Sequence, residues 1–219
     1  MERLIRSNAM LLLWLLVFGY SFVLMGEITW RYRYFDLEAN FLLIKQTEIS
    51  THSWYKYAFY VHVCSAILTL LAGFTQFNIS LLRHSPVWHR RLGYVYVIGV
   101  VFFAAPSGIL IGLHANGGIW AQVAFVILGI LWLLFTVLAF WTATKRNLKA
   151  HQKYMYRSFA LTCSALTLRY WKVVLVYFFA PNPMDLYQVI AWLGWIPNLI
   201  VVEFILVWKF RELKDVSTI

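Results

Sequence analysis

The chain has 219 residues, of which 62% are hydrophobic and only 13% charged, and its mean hydropathy is +0.68. A water-soluble domain of this length does not carry so little charge, so the soluble globular classes are excluded. The formal net charge of +10 is scattered over short connections instead of forming one stripe, which speaks against nucleic acid and fits anionic lipid headgroups.

Apolar runs long enough for a ~30 Å hydrocarbon core fall at roughly 9–26, 55–76, 92–113, 119–142, 158–180 and 188–208. The predicted fold class is therefore all-α integral membrane, with six transmembrane helices in a single polytopic domain over residues 1–219. The first run follows a short basic segment, Met1 to Arg6, with no small-residue cleavage pattern after it. It reads as a signal anchor and first span. Between spans one and two, Leu37, Phe41 and Ile44 recur at helical spacing, and this stretch is expected to lie flat on the outer membrane surface.

Segments 1–8, 77–91, 143–157 and 209–219 hold 2, 3, 5 and 3 Lys and Arg, against 4, 0 and 0 in segments 27–56, 114–118 and 181–187. The alternation puts both termini in the cytoplasm and the chain in the inner (plasma) membrane. Asn78-Ile-Ser80 matches a glycosylation acceptor but falls in an inner loop. Cys64 and Cys163 lie near opposite membrane faces, so no disulfide is expected between them. No nucleotide-binding glycine loop, paired-cysteine metal motif or nucleophile elbow is present.

Polar side chains inside spans are costly and point to packing seams or sites. In span two, His62, Ser65, Ala66, Thr69, Gly73 and Gln76 make one small, polar stripe, expected to face other helices. In span five, Ser158, Thr162, Ala165, Arg169 and Lys172 share a face, with His151 two turns before Ser158 if the helix extends inward. Arg169, near mid-membrane, needs an anion: a carboxylate, a substrate or a cofactor acid. Glu203, the acidic residue inside span six, is the available protein partner, at a depth differing by roughly 8 Å.

His84, His89 and His151 gather on the inner side, the last two just before spans three and five. They are either interface residues or a pair able to ligate one metal or haem iron. His52 and His114 lie at the outer surface.

The motif order resembles a bacterial membrane family, domain of unknown function 2306. The matching residues are His62, then His89 to Tyr96, Pro106-Ser107-Gly108, His151, Met155, Arg157 to Thr162 and Thr167-Leu168-Arg169. The resemblance covers about residues 55–175. This family is distantly similar to the six-helix cytochromes b(561), which implies a core four-helix bundle from spans two to five flanked by spans one and six. It also implies haem b, with His89 and His151 as axial ligands of an inner site and His62 as one ligand of an outer site. Span four holds no histidine to complete the outer site, and Gln122 is the polar residue of any size there.

Three readings follow. The first is a haem-b membrane oxidoreductase or electron-transfer protein with a quinone or other redox partner, in which Arg169 balances haem propionates or binds substrate. The second is a transport or binding protein whose cavity, lined by His62, Thr69, Thr162 and Arg169, holds an anionic small molecule or lipid. The third is a non-catalytic helper subunit. Reporter fusions test the topology common to all three: fusions after Glu48 should read periplasmic, and those after Lys149 and Lys214 cytoplasmic. A periplasmic reading at Lys149 would contradict it.

Overall fold

A hydrocarbon core offers no water to a bare peptide group, so a spanning chain must satisfy its own backbone, and this one does so with helices. The computed structural model describes residues 2–37 and 40–215. In order they form α1 (Glu2–Trp30), a 3₁₀ turn (Asn40–Lys45), α2 (Gln46–Thr51), α3 (Tyr55–Gln76), α4 (Ile79–His84) and α5 (Pro86–Ile98). A π turn (Gly99–Ala104) leads into α6 (Ala105–Gly112), followed by α7 (Gly118–Thr144), α8 (Leu148–Thr162), α9 (Ser164–Phe179), α10 (Pro183–Leu193) and α11 (Ile196–Asp215).

Four stretches, Tyr55–Gln76, Pro86–Gly112, Gly118–Thr144 and Pro183–Phe210, are long and apolar enough to cross a membrane. The pair α8 and α9, bent by 41°, makes a fifth if counted as one span. The chain is thus a multi-pass helical membrane protein whose outer surface meets lipid. The expected first span lies within α1.

The polar stripe of α3 is a packing seam. A Cβ on Gly93 would sit 3.0 Å from Gln76 Oε1, one on Gly99 2.6 Å from Thr69 Cγ2, and one on Gly108 2.9 Å from His62 Cε1. Three glycines of α5, the π turn and α6 therefore meet three stripe residues of the antiparallel α3. Positions 62 and 76 are fourteen apart while 93 and 108 are fifteen apart, and the π turn absorbs the extra residue. Pro106 accounts for its place, because it has no N–H to offer the preceding turn. Leu68, off the stripe, is exposed.

The outer connection differs from the flat amphipathic helix its spacing predicts. It forms a 3₁₀ turn and a short helix folded over the outer end of the bundle. Leu42 is fully buried and Ile44 points outward, while Leu37 and Phe41 pack on Tyr32, Tyr55 and Phe59. Lys45 explains the register. Its buried ammonium donates to Glu48 Oε1 (2.5 Å) and to the His114 carbonyl (2.6 Å), stapling the segment to the turn before α7. Burial pushes the Glu48 carboxyl up, but the Lys45 hydrogen bond and charge leave it below its ordinary value.

The break between α8 and α9 is satisfied internally. Asn198 Nδ2 on α11 donates to the Ala160 carbonyl and to Thr167 Oγ1, both at 3.0 Å, and Thr167 Oγ1 donates to the Gly194 carbonyl (2.5 Å). Two interrupted spans thereby close each other's loose backbone groups.

Glu203 does not meet Arg169. It accepts two hydrogen bonds from Arg157, at 2.5 and 2.8 Å, and ties α11 to α8 nearer the inner end. Arg157 reaches Glu203 because α8 begins at Leu148 and carries Arg157 on its helical face toward α11. Stability measurements on single and double variants should show Arg157→Ala and Glu203→Ala coupled by about 1 kcal/mol. Arg169→Ala and Glu203→Ala should be additive. The reverse pattern would restore the Arg169–Glu203 pair.

Candidate functional site

The site begins with a closed ring of hydrogen bonds among buried side chains of α5, α7 and α8. Trp132 Nε1 is a donor only and gives its proton to Thr162 Oγ1 at 3.0 Å. At the other end, Thr136 Oγ1 donates to the Trp132 carbonyl at 2.7 Å. Between them stand Thr162–Tyr96 (2.7 Å), Tyr96–Ser158 (2.6 Å) and Ser158–Thr136 (2.7 Å). Thr162 Oγ1 also lies 3.1 Å from the Ser158 carbonyl of its own helix, and a hydroxyl both donates and accepts, so the circuit can run in either sense. Tyr96, Thr136 and Ser158 have no exposed surface, and such a circuit leaves none of their hydroxyls unsatisfied.

This ring fixes the register of two parallel helices. His89 precedes Tyr96 by seven residues, and His151 precedes Ser158 by seven. Seven residues are two helical turns on the same face, about 10 Å of rise. Since Tyr96 and Ser158 are hydrogen-bonded, the two histidines stand at one level and face the same space, close enough for their charges to interact. The helix of span five does extend inward to carry His151. His151 Nδ1 donates to the Ala139 carbonyl at 2.8 Å. A carbonyl only accepts, so Nδ1 holds the proton and Nε2 carries the free lone pair. His89 Nδ1 is buried and has no hydrogen-bond partner among the described residues.

An iron held by two imidazoles requires one ring nitrogen from each, with the ring's other N–H anchored on an acceptor. His151 meets both conditions, and His89 supplies an uncommitted buried nitrogen at the same level. Both histidines thus offer a ring nitrogen for an axial pair, and among the described residues His151 alone also meets the anchoring condition. Gly93, above His89, makes room for Gln76 of α3 and not for a macrocycle.

The outer side differs. Above the ring lies a cavity of about 380 Å³ walled by α1, α3, α6, α7, α8, α9 and α10. Trp132 and Thr162 form its floor, and His62, Arg169 and Lys172 line its sides. His62 Nδ1 donates to the Ala104 carbonyl at 2.9 Å, leaving Nε2 free. From α7 the cavity receives Phe125, Leu128, Gly129 and Trp132, none of which ligates iron, and Gln122 does not line it. A two-haem arrangement does not fit these residues. Thr69, expected on the cavity wall, is fully buried against Gly99 instead.

The structure thus separates the sequence-derived residues into two sites, His89 with His151 below the ring and His62 with Arg169 above it. The ring members Tyr96, Trp132 and Thr136 are the residues that sequence reasoning missed. One signal was available, the shared seven-residue step from histidine to hydroxyl in spans three and five.

The model of a family described as predicted membrane protein (DUF2306) matches residues 59–206. No curated protein and no solved structure matches the chain. The match runs from the start of the α3 stripe to beyond Glu203 and takes in both sites. On that coverage, the chain belongs to the DUF2306 family of predicted membrane proteins.

Proposed function

We propose that the chain is a membrane oxidoreductase or electron-transfer protein of cytochrome b type, with one haem b held by His89 and His151. In this reading α1 contributes the first of six spans, both termini face the cytoplasm and the membrane is the bacterial inner membrane. The observation that carries the reading is the common level of His89 and His151, set by the Tyr96–Ser158 hydrogen bond two turns above them.

Bound haem supplies reversible one-electron chemistry. The chain's own residues do the rest. The Ala139 carbonyl holds the His151 proton on Nδ1 and so directs Nε2 into the site. His89 is half-buried and is kept in place by the turns above it. Arg90, Arg91 and Lys153, near the inner membrane surface, provide positive charge for acidic cofactor substituents; Arg157 is already committed to Glu203. The buried Tyr96 ring of hydroxyls excludes water from above. Electrons are exchanged with a quinone or another redox partner in the membrane.

The test is a dithionite-reduced minus oxidised difference spectrum of the purified protein, expressed with ample haem. Native chain and His62→Ala should both show a low-spin haem b signal, and His89→Ala or His151→Ala should abolish it. Colourless native protein would refute the proposal.

A further inference from the structure

The outer cavity is not needed by the inner histidine pair, and its chemistry points elsewhere. Its walls are largely apolar, with Met25, Ile28, Phe125, Leu128, Leu161 and Leu168 among the lining side chains. Into this apolar space comes Arg169, seven residues above the Thr162 floor on the continued face of α8 and α9. Its guanidinium donates to the Ala165 carbonyl of its own helix. Among the described residues no carboxylate forms an ion pair with it, whereas Arg31, Lys45 and Arg157 each have one. The groups acting on it across the cavity are the phenols of Tyr32 and Tyr187 and the imidazole of His62. These neutral or basic side chains bring no negative charge.

A cation in such a place carries a large desolvation cost unless an anion joins it. We infer that the outer cavity binds a single-chain amphiphile with a carboxylate head, the head on Arg169 and the chain running down toward Trp132. Three features fix that chemistry. A guanidinium's planar fork matches a carboxylate with two parallel hydrogen bonds. One half-buried cation balances one negative charge, with the more exposed Lys172 at the rim adding attraction for the incoming anion. A volume of about 380 Å³ lies at the lower end of small-molecule sites, about 300–1,000 Å³, and suits one chain better than a two-chain phospholipid. The folded outer segment, stapled by Lys45, covers the cavity from outside through Phe41, which packs on Tyr55 and Phe59 of α3.

The experiment measures binding of radiolabelled dodecanoate to the purified full-length chain in uncharged nanodiscs. Dodecanoate should bind saturably, and unlabelled dodecanol or dodecyltrimethylammonium should compete about tenfold or more weakly than unlabelled dodecanoate. Arg169→Gln should weaken binding by about tenfold or more, and Ala66→Leu, which fills the cavity, should also weaken it. Competition by dodecanol equal to that by dodecanoate would overturn the inference. That comparison uses native chain and stands even if Arg169→Gln does not fold. Unchanged binding in folded Arg169→Gln would overturn it equally. His151→Ala should bind dodecanoate like the native chain, so failure of the haem proposal and failure of this one are distinguishable.

Discussion

Tyr96 carries its hydroxyl into the middle of a membrane bundle and shares it between Ser158 and Thr162. An unpaired hydroxyl there would cost several kcal/mol. Thr136 and Thr162 can also donate to carbonyls of their own helices, but Tyr96 finds its partners across the helix interface. Each hydrogen bond inside a membrane protein contributes about 0.6 kcal/mol on average, so the ring adds only a few kcal/mol in total. Its larger effect is on specificity. A slip of α8 against α5 by one residue would break both Tyr96 hydrogen bonds at once, whereas Leu and Val contacts would tolerate it. The ring thus converts a loosely constrained apolar interface into a fixed register.

That register divides the protein. Below the ring, two turns down each helix, His89 and His151 reach one level; above it, Trp132 and Thr162 become the floor of a cavity. The α3 seam supports the same division, because Gly99 and Gly108 bring the third span close enough for His62 to reach the Ala104 carbonyl. The charged residues follow a simple rule. Arg157 finds Glu203 and Lys45 finds Glu48, while Arg169 alone of these three is left facing an apolar cavity.

Much of this was legible in the sequence because period and spacing survive folding. Four of the expected spans, a fifth if the bent α8–α9 pair is one span, the α3 stripe and the shared face of His151, Ser158 and Thr162 follow from apolar runs and three- or four-residue steps. Long-range pairings were not legible. Thr136 and Trp132 sit in a span of Leu, Ile and Phe, where single polar residues have no periodic signature. Glu203 was offered to Arg169 as the acidic residue inside a span, at a depth differing by roughly 8 Å, and which cation it meets depends on where each helix begins and bends. The 41° bend at Cys163 and the early start of α8 shifted both terms. The outer connection was misjudged for a related reason, since Lys45 binds a backbone carbonyl 69 positions away.

The central claim is that the Tyr96 ring brings residues 89 and 151 face to face. It is tested directly by thiol cross-linking in a chain with Cys64 and Cys163 replaced by serine. With His89→Cys and His151→Cys, a short bifunctional thiol reagent should bridge the two positions in membranes. The neighbouring pair Trp88→Cys with His151→Cys should not be bridged, because Trp88 lies on the exposed side of α5. Adding Tyr96→Phe should sharply reduce the 89–151 product. Failure of the 89–151 pair to bridge, while each cysteine alone reacts readily, would contradict the account.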